Sequence, residues 1–246
     1  MTTTAFAAPG FDLKVPRAYF SDEKVLALLD AAISGDSVKA KQMVAAGADP
    51  NTAGPPGTAG RIRLLHYAIA AKNSGAVIIL MALGADPELD TPMAGPALLF
   101  AITLDDVDML ARILQARPYS SLSRGTVKTL MFQTVLLPRP RCLMVLLKQG
   151  FPIDFKNDAG FTVMMDAIST QDYDLAEWLL NQGASVKIDT PSGITPANSV
   201  QFHLNKFVAG SPTHSKVLRL KSLMEQKGAV FPAMSPKEVR ALRGQQ

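Results

Sequence analysis

Apolar residues arrive along this chain in short paired bursts. The runs "LLHYAIAA" (64–71), "LLFAITL" (98–104) and "VMMDAIST" (163–170) each predict a short helix. A polar break follows each one. Then come "AVIILMAL" (76–83), "VDMLARILQ" (107–115) and "DLAEWLLNQ" (174–182), which predict a second helix. After the second helix the chain usually reaches a glycine and an extended turn.

Two rulers measure the spacing. Gly84 to Gly150 is 66 residues, and Gly150 to Gly183 is 33. The small-then-β-branched pairs Ala32-Ile33, Ala68-Ile69, Ala101-Ile102, Thr134-Val135 and Ala167-Ile168 step by 36, 33, 33 and 33. A period near 33 over most of a chain marks stacked helical hairpins. The doubled "GADP" (47–50 and 84–87) fits that picture. Glycine enters the left-handed conformation beyond a helix end without a steric penalty, and Asp-Pro starts the outgoing loop.

"GITP" (193–196), "LLHYAI" (64–69) and "GADPN" (47–51) resemble ankyrin-repeat signatures. The resemblance implies an all-α solenoid of about six helix-turn-helix units with short β-turn fingers and capping helices. The expected units are 25–57, 58–90, 91–123, 124–156, 157–189 and 190–231. Residues 1–24 form an N-terminal cap and 232–246 a capping helix and tail. In the tail, Ser235, Pro236 and Glu238 predict a helix opened by a capping box.

The pattern departs from regularity in four places. Arg117 stands where a helix-ending glycine is due. Pro138 and Pro140 are expected to end the first helix of the fourth unit. Gly183 to Gly228 is 45 residues, so "NKFVAGSPTH" (205–214) should lengthen the turn between the last two helices. The long finger "TAGPPGTAG" (52–60) should be mobile.

Hydrophobic residues make up 48% of the 246 and charged ones 19%, enough apolar material for a core. The net charge of +4 by itself suggests no nucleic-acid partner. Residues 201–246 nevertheless hold eight Lys/Arg against two Glu, leaving 17 basic and 19 acidic residues before them. That basic end is either a solvated surface or a landing strip for an acidic partner. One cysteine, Cys142, excludes an internal disulfide and a thiolate metal cage, and its apolar setting predicts a buried thiol. No stretch has the apolar length of a membrane span.

Catalytic, cofactor and metal motifs are absent, so the chain reads as a non-enzyme with no cofactor. His66 falls where ankyrin units often carry a structural histidine. His203 and His214 flank the insertion with no partner at motif spacing. Asp105-Asp106 and Asp172 with Asp174 sit at helix breaks, where carboxylates cap N-termini. Trp178 is expected in the core.

In an ankyrin stack the fingers and first helices form a concave face that meets a protein partner. Carried over position by position, the candidates are Asp158 and Phe161 on the fifth finger with Ser169 and Thr170 beyond its helix. Unit four offers Lys128 on the finger, then Leu136 and Leu137. Met93, Thr103 and Leu104 come from unit three and Ile62 from unit two. Phe161 is the expected exposed anchor, and the leucines extend an apolar patch.

Three local features, "YFSD" (19–22), "KN" (72–73) and "FPAMSPKEVRALR" (231–243), resemble exported bacterial ankyrin proteins encoded beside type VI secretion phospholipases. The resemblance implies a periplasmic immunity protein, monomeric when unbound, that inhibits a cognate lipase. It would make "AFA" (5–7) the remnant of an export signal. The rival readings are a cytoplasmic scaffold or host-directed effector with another protein partner, and a lipid-head-group binder using the basic end.

Overall fold

The computed structural model describes residues 13–58 and 61–244. The "AFA" segment lies outside them. So do residues 59 and 60, on which part of the expected finger mobility falls. Among the described residues there are thirteen α-helices and no strand, only an isolated antiparallel bridge between Ala53 and Arg63.

The chain divides into two compact units after Gly150. The first contains four helix pairs: α1 (Glu23–Ile33) and α2 (Ser37–Ala45), α3 (Leu64–Ala70) and α4 (Ser74–Ala82), α5 (Ala97–Thr103) and α6 (Val107–Ala116), and α7 (Arg124–Leu136) and α8 (Pro140–Lys148). First helices α3, α5 and α7 pack in one row, and second helices α4, α6 and α8 in another. The second unit holds α9 (Val163–Ser169) with α10 (Tyr173–Asn181), α11 (Pro196–Lys206) with α12 (Pro212–Gln226), and α13 (Pro236–Arg243). There α9 packs on α11 and α10 on α12.

The rows explain the sequence pattern. Helix α5 lies between α3 and α7, so Ala97, Leu98, Phe100, Ala101 and Ile102 are all buried in seven residues. Helix α6 buries Met109, Leu110, Ile113 and Leu114 and exposes Asp108, Arg112 and Gln115. Removing a leucine-sized side chain from water contributes about 2 kcal/mol, so packing rather than helix propensity holds helices this short.

Polar residues set the boundaries. Asp36, Asn73, Asp106 and Asp172 accept from the backbone of Lys39, Ala76, Met109 and Leu175 and so cap the second helices. The residues just before these caps turn left-handed: Gly35, Lys72, Asp105 and Gln171, with φ of 80°, 53°, 52° and 64°. Three of the four are not glycine. Gln171→Gly is therefore expected to raise stability by about 0.5–1 kcal/mol, read as a higher denaturation midpoint with an unchanged m-value.

The helix-ending glycines Gly47, Gly84, Gly150 and Gly183 all take positive φ, as their role predicts. A further regularity emerges four residues after three of them. Asn51 bonds the next unit's turn, donating to the Gly84 carbonyl (2.9 Å) and accepting from Asp86 N (2.7 Å). Glu88 occupies the same place one unit on. It accepts from Ser123 N (2.9 Å) and pairs with Arg117 (3.2 Å). Asp154 accepts from Ser185 N (3.0 Å). Arg117, where glycine is missing, thus has its own task as the partner of Glu88.

Three expectations need correction. Pro138 follows the end of α7, but Pro140 opens α8 as its first residue, a place where the missing N–H costs nothing. The fourth unit has no finger before its first helix. Helix α7 begins at Arg124 and runs thirteen residues where α3 and α5 have seven, so Lys128 lies on a helix. The insertion in the last unit goes mostly into helices. Helices α11 and α12 reach 11 and 15 residues, against 7 and 9 in α9 and α10, and the break between them is Phe207–Ser211.

Candidate protein-binding surface

In the first unit the surface starts at the finger Thr91–Gly95. Thr91 and Gly95 exchange backbone hydrogen bonds of 3.2 Å, and the Thr91 hydroxyl accepts from Ala94 N. His66 fixes this finger from beneath. Its Nε2 lies 2.9 Å from the Gly95 carbonyl, and its ring stands 5.4 Å from Phe100. Burial pushes the imidazole down to about 4, so it sits neutral in the core. On this stiff support Met93 is 83% exposed.

From Met93 the surface continues along α5 and α7. Thr103 is exposed, with its hydroxyl returned to the Leu99 carbonyl. Leu104 is half-buried and lines an open cleft of about 440 Å³ with Asp105, Asp106, Arg112 and Arg141. Lys128 is half-buried, Leu136 is 61% exposed at the end of α7, and Leu137 is half-buried beside it. Met93 lies in the turn before α5 and Leu136 is the last residue of α7, so the two exposed side chains mark opposite ends of this pair of first helices.

Ile62 is not part of it. It is 1% exposed, because residues 61–63 pair back onto 53–54: Gly54 N donates to the Ile62 carbonyl (2.9 Å) and Ala53 bridges Arg63. An apolar residue at the root of such a hairpin turns into the core.

In the second unit the finger Asn157–Phe161 is an Asx turn. The Asn157 carboxamide accepts from Ala159 N and Phe161 N, both at 3.0 Å. Asp158 is exposed at its tip, and Phe161 is half-buried rather than the fully exposed anchor expected. Gly160, at φ 83°, lies so close to Pro191 of the next finger that a Cβ would stand 2.5 Å from the proline Cδ. Ser169 and Thr170 are exposed at the far end of α9, with hydroxyls donated to the Met165 and Asp166 carbonyls. These four residues flank α9 at both ends and do not converge on one point.

The basic end turns inward. Lys216 pairs with Asp174 (2.6 Å), and Arg219 with Asp174 (2.9 Å) and Glu177 (2.6 Å), fastening α12 to α10. Arg243 reaches Asp189 (2.9 Å), Lys221 reaches Glu225 (3.0 Å), and Arg240 donates to the Ser192 carbonyl. The hydrogen bond from Lys216, joined by the attraction of Arg219, holds the Asp174 carboxyl below its ordinary range. Five of the eight cations are thus spent within the unit, which removes most of the expected landing strip.

The remaining chemistry-bearing residues have structural settings. Cys142 is buried, and burial pushes its thiol up to about 12. His203 is buried and bonded to the Tyr173 hydroxyl (2.8 Å). Trp178, expected in the core, is half-buried on α10. Among the described residues no three His, Cys, Asp or Glu side chains gather in a way that could hold a metal, and no helix is long and apolar enough to cross a membrane.

No protein-family model and no curated protein matches this chain. Solved structures do. The ankyrin repeat domain of Bcl-3, a member of the IkappaB family, is 18% identical with a TM-score of 0.63, covering 92% of this chain and all of that one. The ankyrin repeat protein EF0377 is 23% identical with a TM-score of 0.53, covering 81% of this chain and 98% of its own. A chain from the complex of the Bd0816 predatory endopeptidase of Bdellovibrio bacteriovorus with immunity protein Bd3460 is 22% identical, covering 81% and 98%, at a TM-score of 0.49. A likeness at that last level bears on neither fold nor partner. The fold is that of an ankyrin-repeat protein.

Proposed function

We propose that this protein is a protein-binding ankyrin module and, more narrowly, an immunity protein that inhibits a bacterial phospholipase toxin by covering its active-site mouth or lid. The observation that carries the reading is the exposure of Met93 and Leu136 on rigid elements of the first unit. Leu136 has half-buried Leu137 beside it and Leu104 ends the neighbouring first helix, and exposed apolar side chains set among others support an interface. A lipase presents a complementary apolar mouth, often under a mobile lid.

The three sequence features that resemble the bacterial immunity group support the frame more than the contact. Tyr19 and Phe20 are buried against Tyr67, and Asp22 caps α1. Asn73 caps α4 and donates to the Ile33 carbonyl (2.9 Å). Ser235 and Glu238 form the capping box of α13. The partner and a periplasmic location therefore rest on the resemblance, joined to the apolar strip.

The test is stoichiometric. Titrating the protein into a lipase encoded beside it is expected to abolish phospholipid hydrolysis near one equivalent. Met93→Asp and Leu136→Asp should each weaken inhibition by roughly tenfold or more. Hydrolysis that is untouched by excess protein sinks the lipase reading, and unaltered inhibition by both variants sinks the strip. Recovery of the full-length protein in the spheroplast cytoplasm would overturn the periplasmic placement.

A further inference from the structure

The lengthened last helix pair presents a second surface, unrelated to the strip around Met93. Shifted by the 33-residue period, α9 maps onto 196–202, so residues 203–206 are an added turn of α11. That turn is anchored. His203 is buried, accepts or donates at 2.8 Å with the Tyr173 hydroxyl, and stands edge-on to the Tyr173 ring at 5.7 Å. Around this anchor the chain presents Phe202, 63% exposed, Phe207, half-buried, and Val208, 79% exposed. Helix α13 contacts the finger at the other end of α11, through Arg240 on Ser192 and Arg243 on Thr190.

Exposed apolar residues that cluster, rather than occur singly, mark a contact surface. This unit sets two phenyl rings against His203 with Val208 next in the chain, and of these Phe207 and Val208 lie beyond the stretch that the 33-residue repeat accounts for. Lys206 stands among them, its ammonium 6.0 Å from the Phe202 ring centre and 5.9 Å from that of Phe207. Among the described residues it forms no ion pair, whereas Lys216, Arg219, Lys221 and Arg243 of the same unit each do.

We propose that Phe202, Lys206, Phe207 and Val208 form a docking site for a protein segment that carries a carboxylate beside an apolar side chain. The apolar residue would cover the exposed phenyl ring and valine, and the carboxylate would meet Lys206, where partial burial strengthens the pair. The buried hydrogen bond of His203 preorganises the site, so little ordering is required on binding. Charge selects the occupant. A twofold pairing of two copies through this patch would set Lys206 near its own equivalent. Lys206 is the cation that stands over the two rings, which matches one carboxylate at the patch.

Phage-displayed random peptides selected on the immobilised full-length protein test the proposal, with affinities of individual peptides read by fluorescence anisotropy. Enriched peptides should carry Asp or Glu next to Leu, Phe or Met. Phe202→Asp and Lys206→Glu should each weaken their binding by roughly tenfold or more, while Met93→Asp leaves it unchanged. Val208→Asp serves as a third variant, and thermal melts verify that each folds. The proposal is overturned if no acidic-apolar peptides emerge, or if their binding ignores all three substitutions. Phe202-dependent self-association in sedimentation equilibrium, or Phe202-dependent co-sedimentation with phosphatidylglycerol vesicles, also overturns it. Failure of lipase inhibition leaves this result untouched, because the two surfaces share no residue.

Discussion

Replacing Glu88 with alanine is expected to destabilise the first unit by about 2–3 kcal/mol, far more than an ordinary surface carboxylate. The Glu88 side chain is mostly buried, accepts from Ser123 N at 2.9 Å and pairs with Arg117 at 3.2 Å. It thereby satisfies the amide of the residue that caps α7 and supplies a negative charge at that helix start. Burial alone would raise its pKa, but hydrogen bonds from Thr126, Ser123 and Arg117 bring it below the ordinary range. Losing a charge-assisted acceptor leaves a backbone donor and part of a guanidinium without partners. Arg117 is more than a third exposed, which keeps the loss below that of a fully buried pair. Glu88→Gln, which keeps an acceptor for Ser123 N without the charge, should fall between. Urea denaturation of the three proteins side by side is the measurement, and an alanine variant with the wild-type midpoint would show the contact to be incidental.

Acid is expected to cost a comparable amount through one histidine. Burial above all, opposed by the bond to Gly95 and by Asp90 and joined by Arg63, brings His66 from 6.5 down to about 4. The folded state therefore holds His66 neutral where the unfolded chain protonates it. Its contribution is fully present above pH 6.5 and disappears as pH falls toward 4, a change of about 3 kcal/mol. Protonation would place a second N–H on Nδ1, which has no hydrogen-bond partner. His66→Gln retains a donor for the Gly95 carbonyl and cannot titrate. Stability measured from pH 7 to pH 4 should fall more steeply in the wild type than in that variant. Parallel curves would count against the assignment. Both changes act next to the finger that carries Met93, so under the proposed function lipase inhibition should weaken along with stability.

Helix positions were legible from the chain because each apolar run matches a single face or row. The expected 64–71, 98–104 and 163–170 became Leu64–Ala70, Ala97–Thr103 and Val163–Ser169. The glycines were legible for a different reason, since a left-handed residue after a helix narrows the choice so strongly. What the chain does not spell out depends on residues far apart. Glu88 gave no sign of its role, because its partners Arg117 and Ser123 lie 29 and 35 residues downstream. Ile62 was misplaced because the 33-residue register counts positions but not the fold-back of a long finger. The length of the insertion was legible but not its destination: extra residues between two helices can join either helix when their polarity permits it, and "NKFVAGSPTH" does so on both sides. Phe161 was only half right, since a finger stacked on its successor shelters part of its own ring. Phe202 and Val208 gave no sign of their exposure, because it depends on how the lengthened α11 turns out of the repeat pattern.

The rungs formed by Asn51, Glu88 and Asp154 also say how small a working fragment of this protein can be. Each ties the exit of one hairpin to the exit of the following one, so an excised hairpin would keep the carboxylate or carboxamide and lose everything it holds. Trimming the chain by whole repeats should therefore leave ragged ends that melt inward, and the smallest autonomous piece must contain two consecutive exits.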